Sequence, residues 1–149
     1  MSGKNRLGDR EQGTGYRGTG LIVAADEGRP GQIQSHRDLV VWQKAMDLAV
    51  SVYQLANHFP SYEIYRLSAQ ICRAVASVPA NVAEGHARAT AKDYANFLAI
   101  AKGSLMETET LLMLAVRLGY LDESDASETL SLLTEVSKML TVLRRRLVR

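Results

Sequence analysis

The residues that could do chemistry in this chain fall into two groups, both rich in arginine. The first is a line of polar side chains, Arg66, Gln70, Arg73, Ser77, Asn81, Glu84 and Arg88, spaced three or four positions apart. That spacing puts them along one face of a helix. The second is the run Arg144, Arg145 and Arg146 with Arg149 close behind. A guanidinium group is always charged and planar, and it offers parallel N–H donors to two oxygens of a phosphate. The candidate nucleic-acid-binding set is therefore Arg66, Arg73, Arg88, Arg144, Arg145 and Arg146. Both groups also have a simpler account. Polar residues on an amphipathic helix ordinarily face water, and cations in a last helical turn complement the helix dipole.

Catalytic and metal-binding patterns are not found. His36, His58 and His86 stand far apart, and Cys72 is the only cysteine, so no paired ligand spacing arises and no Cys/His nucleophile pair is formed. Glu84, Glu107 and Glu109 are helical carboxylates, but His86 lies two residues after Glu84, whereas a di-iron bundle needs Glu-x-x-His. The N-terminal glycines have no strand-turn-helix context that would make a phosphate loop. The expectation is a protein that is not an enzyme and carries no metal or cofactor. A net charge of +2 does not by itself demand an anionic partner. No apolar run is long enough to span a membrane and no signal peptide is evident, so the expected location is the cytoplasm.

The elements that must position these residues are helices. Residues 1–34 hold eight of the eleven glycines and lack periodicity, which predicts a flexible tail. Residues 35–149 predict one domain of four helices. The first spans about Asp38 to His58, opened by a cap-like Ser35/Asp38 pair and ended by Phe59-Pro60. The second spans about Ser61 to Arg88. Its apolar line is Ile64, Leu67, Ile71, Val75, Val78 and Val82, and Pro79 should kink it. The third begins at the Thr90/Asp93 cap and ends near Leu118, with Gly119 as its C′ residue. The fourth runs from Asp122 or Ser124 to about Leu147. The connections are short, which favours antiparallel neighbours and an up-down-up-down bundle.

The first helix carries two apolar lines side by side. One is Leu39, Trp42, Met46, Ala49, Tyr53 and Ala56; the other is Val41, Ala45, Leu48, Val52, Leu55 and Phe59. Together they are wider than the stripe of about 100° that a surface helix buries. One line can face the bundle core, and the other calls for self-association. Trp42, Met46 and Tyr53 are the candidate interface residues.

The order Asp38-Leu39-Val40-Val41-Trp42-Gln43-Lys44-Ala45, Phe59-Pro60, Ser77-Val78-Pro79-Ala80-Asn81-Val82-Ala83-Glu84-Gly85 and Leu118-Gly119-Tyr120-Leu121 resembles a known family. It looks like the four-helix-bundle proteins encoded in intervening sequences of bacterial 23S ribosomal RNA genes. The most specific part is the motif around Pro79, Asn81, Glu84 and Gly85. The resemblance implies an antiparallel bundle that assembles as a ring-like homopentamer. It also implies similarity in fold to the accessory variability determinant of diversity-generating retroelements, which binds a reverse transcriptase and nucleic acid through a basic surface. Against a strongly basic pattern, the chain from His36 onward has thirteen Lys and Arg and twelve Asp and Glu.

Two functions follow as expectations. One is a nucleic-acid-binding accessory module, acting on RNA or DNA and assisting a reverse transcriptase or binding ribosomal RNA. The other is a protein-interaction scaffold on the same ring, in which Arg73 or Arg88 pairs with Glu84, and Asn81 caps backbone groups freed by Pro79.

Overall fold

The computed structural model describes residues 33–149, so the expected tail lies outside the described residues except for Ile33 and Gln34. Four helices follow: α1 (Val40–Ala56), α2 (Leu67–His86), α3 (Ala91–Arg117) and α4 (Glu123–Leu147). No strand occurs among the described residues, and the class is all-α. Each helix packs against its neighbours in sequence, and α1 also packs against α4, so the four surround one core. Ser77 of α2 meets Ser104 of α3, and Gly85 meets Phe97. Lys44 of α1 meets Glu135 of α4, and Ser51 meets Thr129. In both pairs of helices, residue numbers rise on one side as they fall on the other.

Helix ends form where the cap residues allow. The Thr90 hydroxyl accepts the Asp93 N–H at 3.1 Å, which opens α3. At the other end of α3, Gly119 adopts φ 78°, which glycine reaches without a Cβ penalty. Its N–H then bonds the Val116 carbonyl at 3.0 Å, and that of Tyr120 bonds the Ala115 carbonyl at 2.9 Å, a Schellman closure. At the start of α4 the Asp125 carboxylate accepts the Asp122 N–H at 3.1 Å. The Ser35/Asp38 box is also present, but it caps a 3-10 helix, His36–Asp38, and α1 begins only at Val40.

The start of the second helix differs from expectation. Ser61–Glu63 form a short 3-10 helix, and Arg66, with φ −115° and ψ −109°, separates it from α2. Ile64 is consequently exposed rather than part of the core line. The cause is Glu63, which is buried. Its carboxylate accepts the Leu67 N–H at 3.0 Å and the Tyr120 hydroxyl at 3.1 Å. A first-turn N–H has no partner inside its own helix, and Glu63 supplies one from outside while tying α2 to the end of α3. From Leu67 the helix continues through Pro79. Proline lacks an N–H, so the Val75 carbonyl loses its usual donor. Asn81 does not replace that donor; its side-chain amide donates to the Ser77 carbonyl and the Ser77 hydroxyl, both at 2.8 Å.

The question of which apolar line of α1 faces inward has a clear answer. Val41, Ala45, Leu48, Val52 and Phe59 are buried, while Met46 and Tyr53 are exposed and Trp42 is half-buried. Opposite them stand Ile71, Val75, Val78 and Val82 of α2, Leu98, Leu105 and Leu112 of α3, and Leu133, Val136 and Leu140 of α4. Burying one such side chain is worth about 1.5–3 kcal/mol, so these helices hold together through their inner faces.

Two predictions arise here. A Cβ at Gly85 would lie 2.8 Å from the Phe97 Cβ and 2.9 Å from Tyr94 Cδ2. Gly85→Ala should therefore cost about 1–3 kcal/mol by overpacking, read as a lower urea midpoint; an unchanged midpoint would show that α3 yields freely. The second concerns Tyr120, whose phenol pKa is held well above its ordinary value by its hydrogen bond with Tyr62, then by burial, then by Glu63. A raised folded pKa favours the protonated form, so this contribution is complete below the unfolded phenol value, about 10. It is lost as pH rises beyond that point. The thermal midpoint should fall above about pH 10, and less steeply in Tyr120→Phe. Identical alkaline profiles would remove Tyr120 as the responsible group.

Candidate nucleic-acid interface

Helix α2 has 20 residues and is therefore about 30 Å long. Arg66 stands before its first residue and Arg88 beyond its last. The two are thus at opposite ends of the polar line, along which Gln70, Arg73 and Glu84 are exposed and Ser77 and Asn81 half-buried. In the middle of the line Ser77 hydrogen-bonds Ser104 at 3.0 Å and joins α2 to α3, while Asn81 donates to Ser77 on its own helix. Arg73 is exposed on α2.

Arg88 is held in place. It pairs with Glu84 at 3.3 Å, as expected for that pair, and its guanidinium lies 4.5 Å from the centre of the Phe97 ring. Both interactions fix its plane, and the second is a cation–π interaction. Its remaining N–H donors stay open to solvent, since the residue is exposed.

Arg144, Arg145 and Arg146 occupy the last turn of α4, and all three are exposed. No described carboxylate pairs with any of them. Arg144 and Arg145 reach into a groove of about 340 Å³ between α3 and α4, together with Lys102 and Thr141, over a floor that includes Leu98 and Leu140. Lys102 crosses this groove. Its ammonium donates to the Ser137 carbonyl at 3.2 Å and to the Thr141 hydroxyl at 2.5 Å. The Thr141 hydroxyl passes its own hydrogen to the Ser137 carbonyl at 3.1 Å. Two of the three ammonium hydrogens are thereby used, and among the described residues no carboxylate takes the third.

Residue type and spacing do not single out Lys102. Its position between the buried Ala101 and the buried Leu105 is nonetheless a usable signal, because a lysine beside a core stripe must lay its stem along apolar surface and aim its charge sideways. Burial raises the Cys72 thiol pKa, which keeps it protonated and weakly nucleophilic. Among the described residues no three His, Cys, Asp or Glu side chains gather as a metal site, and no helix is long and apolar enough to cross a membrane.

An all-α chain with three exposed arginines on the last turn of α4 belongs to a class of small helical-bundle proteins, and the family can be stated. The model of the 23S rRNA-intervening sequence protein family matches residues 37–142, and the chain belongs to that family. Among solved structures it is similar to a protein of unknown function from the S23 ribosomal protein family of Bacteroides thetaiotaomicron. The identity is 28% and the TM-score 0.66, over 70% of this chain and 98% of that one. No protein of curated function matches.

The geometry separates the arginines into two kinds. Arg88→Ala should cost up to about 1 kcal/mol of stability, because it removes a stacked and paired side chain. Arg66→Ala and Arg73→Ala should stay within about 0.5 kcal/mol. Equal costs for all three in denaturant titrations would contradict the assignment of Arg88 to the α2–α3 junction.

Proposed function

We propose that this chain is a non-enzymatic cytoplasmic accessory module. In this reading it is an antiparallel four-helix bundle that assembles as a ring-like homopentamer. It binds RNA or DNA through its phosphates, in support of a reverse transcriptase or on ribosomal RNA. The observation that carries the reading is the trio Arg144, Arg145 and Arg146, exposed together and unpaired with any described carboxylate. A set of like charges left without partners raises the local potential and attracts polyanions. Arg88 belongs to the same end of the bundle, since α2 finishes where α3 begins. Arg66 does not, and it drops out of the proposed phosphate-binding set, while Arg73 contributes at most from the side of α2.

Assembly draws support from two uncovered faces. On α1, Met46, Val50 and Tyr53 are exposed. On α3, Ile100, Met113 and Leu114 are exposed, as is Leu118 just beyond its end, and a Cβ at Gly103 would touch nothing within 4 Å. α1 packs chiefly on α2 and α4, so its outward face and that of α3 point away from one another. Contact between unlike faces of successive copies is heterologous, and it closes into a ring when the rotation permits. A ring repeats each basic end once per subunit. That multiplies the phosphates engaged without a large charge on any one chain. The same faces also favour the second reading, a scaffold that presents apolar grooves to a partner protein and binds no nucleic acid.

Two measurements on one set of samples test this. Sedimentation velocity at micromolar concentration should show a single species near five chains, and Tyr53→Asp should shift it toward monomer. Binding to unrelated RNA and DNA duplexes should weaken with salt. Arg144→Ala/Arg145→Ala/Arg146→Ala should lower the salt slope by about one for each arginine that neutralises a phosphate. A monomer at all concentrations refutes the ring. A ring that binds neither duplex at low salt leaves the scaffold reading in its place.

A further inference from the structure

We propose that the groove between α3 and α4 is a binding site for an unpaired nucleotide unit of single-stranded nucleic acid, with Lys102, Arg144 and Arg145 on its phosphate and the apolar floor under its base. The inference rests on the nucleic-acid reading above and narrows it from polyanions in general to one strand.

The cations are built in rather than scattered. Thr141 accepts the Lys102 ammonium, and Arg144 and Arg145 follow Thr141 by three and four positions, which is one turn along the same face. Three positive charges therefore converge within about one helical turn, roughly 5.4 Å of rise. Such a cluster repels itself, and among the described residues no carboxylate relieves it. An anion in the groove does. The Lys102 ammonium has one N–H left to give, as a fixed point charge. The two guanidinium groups add planar forks that match phosphate oxygens.

The floor argues for more than a phosphate. Leu98, Ala99, Leu140 and Val148 line the groove beside the cations. Leu98 and Leu140 are themselves almost fully buried, so the apolar surface open to the groove is that of the exposed Ala99 and Val148. At about 340 Å³ the space falls at the small end of ligand clefts, which run from about 300 to 1,000 Å³. A duplex presents its backbone and keeps its bases stacked inside, so it would leave the floor empty. An unpaired nucleotide brings a flat apolar face next to its own phosphate. The floor is aliphatic, without an aromatic ring for stacking, so binding should be tolerant of base identity and governed by the charges.

The test uses the full chain and a fluorescein-labelled four-residue oligothymidylate, followed by anisotropy at low salt. Lys102→Met keeps the stem and removes the charge, and Arg144→Gln/Arg145→Gln does the same at exposed positions. Each should weaken binding about tenfold. Lys138→Gln, an exposed cation on α4 outside the groove, should change it less than about twofold. Thymidine monophosphate should compete better than inorganic phosphate. If Lys102→Met loses helicity, Arg144→Gln/Arg145→Gln alone decides the matter. Equal weakening by Lys138→Gln, or equal competition by inorganic phosphate, overturns the site. Binding of duplexes without binding of the short strand overturns the groove and leaves the broader reading intact. Binding of neither overturns both.

Discussion

The approach of α2 to α3 at Gly85 constrains the structure around it. Two helices can come this close only where one lacks a side chain, and Gly85 provides that gap against Phe97 and Tyr94. From that meeting point the rest of the seam takes its register. Earlier on α2, the Ser77 hydroxyl meets that of Ser104, and the Asn81 amide donates back to Ser77. Val78 and Val82 of α2, with Leu98 and Leu105 of α3, reach complete burial. Just beyond Gly85, Arg88 can lie over Phe97. Close backbone packing thus fixes both an apolar core and the posture of a surface cation.

Much of this is legible from residue types alone. The caps at Ser35, Thr90 and Asp122, and the glycine at position 119, act through neighbours within a few positions, so local pattern suffices to find them. The inward line of α2 from Leu67 to Val82 is equally readable, since a helical period is a local property. The break before Leu67 is not. It depends on Glu63 meeting Tyr120, which is 57 positions away, and no window of sequence contains both. Ile64 therefore reads as core although it faces water. The groove is hidden for the same reason, because Lys102 owes its position to Ser137 and Thr141 on another helix.

Counting charges gives the least guidance about the surface. From His36 onward the balance is nearly even, yet the fold sorts the signs. Asp122, Glu123, Asp125 and Glu128 gather where α4 begins, and Arg144, Arg145 and Arg146 where it ends. Among the described residues Glu84 and Glu135 pair with Arg88 and Lys44, and of the cations without such a partner the terminal arginines are the ones adjacent in sequence. A near-neutral total is compatible with a strong local field when opposite charges are separated by the length of a helix.

The seam between α1 and α4 carries a consequence for how the chain reaches this state. α2, α3 and α4 pack on one another as successive hairpins, whereas the Ser51–Thr129 bond joins residues 78 positions apart. Closing so long a loop carries an entropic cost that grows with the logarithm of its length, and sequence-local hairpins form ahead of such pairings. The closing bonds themselves, Ser51 to Thr129 and Lys44 to Glu135, are polar. Their contribution is directional, so they select one alignment for the returning first helix instead of supplying the force that collapses it.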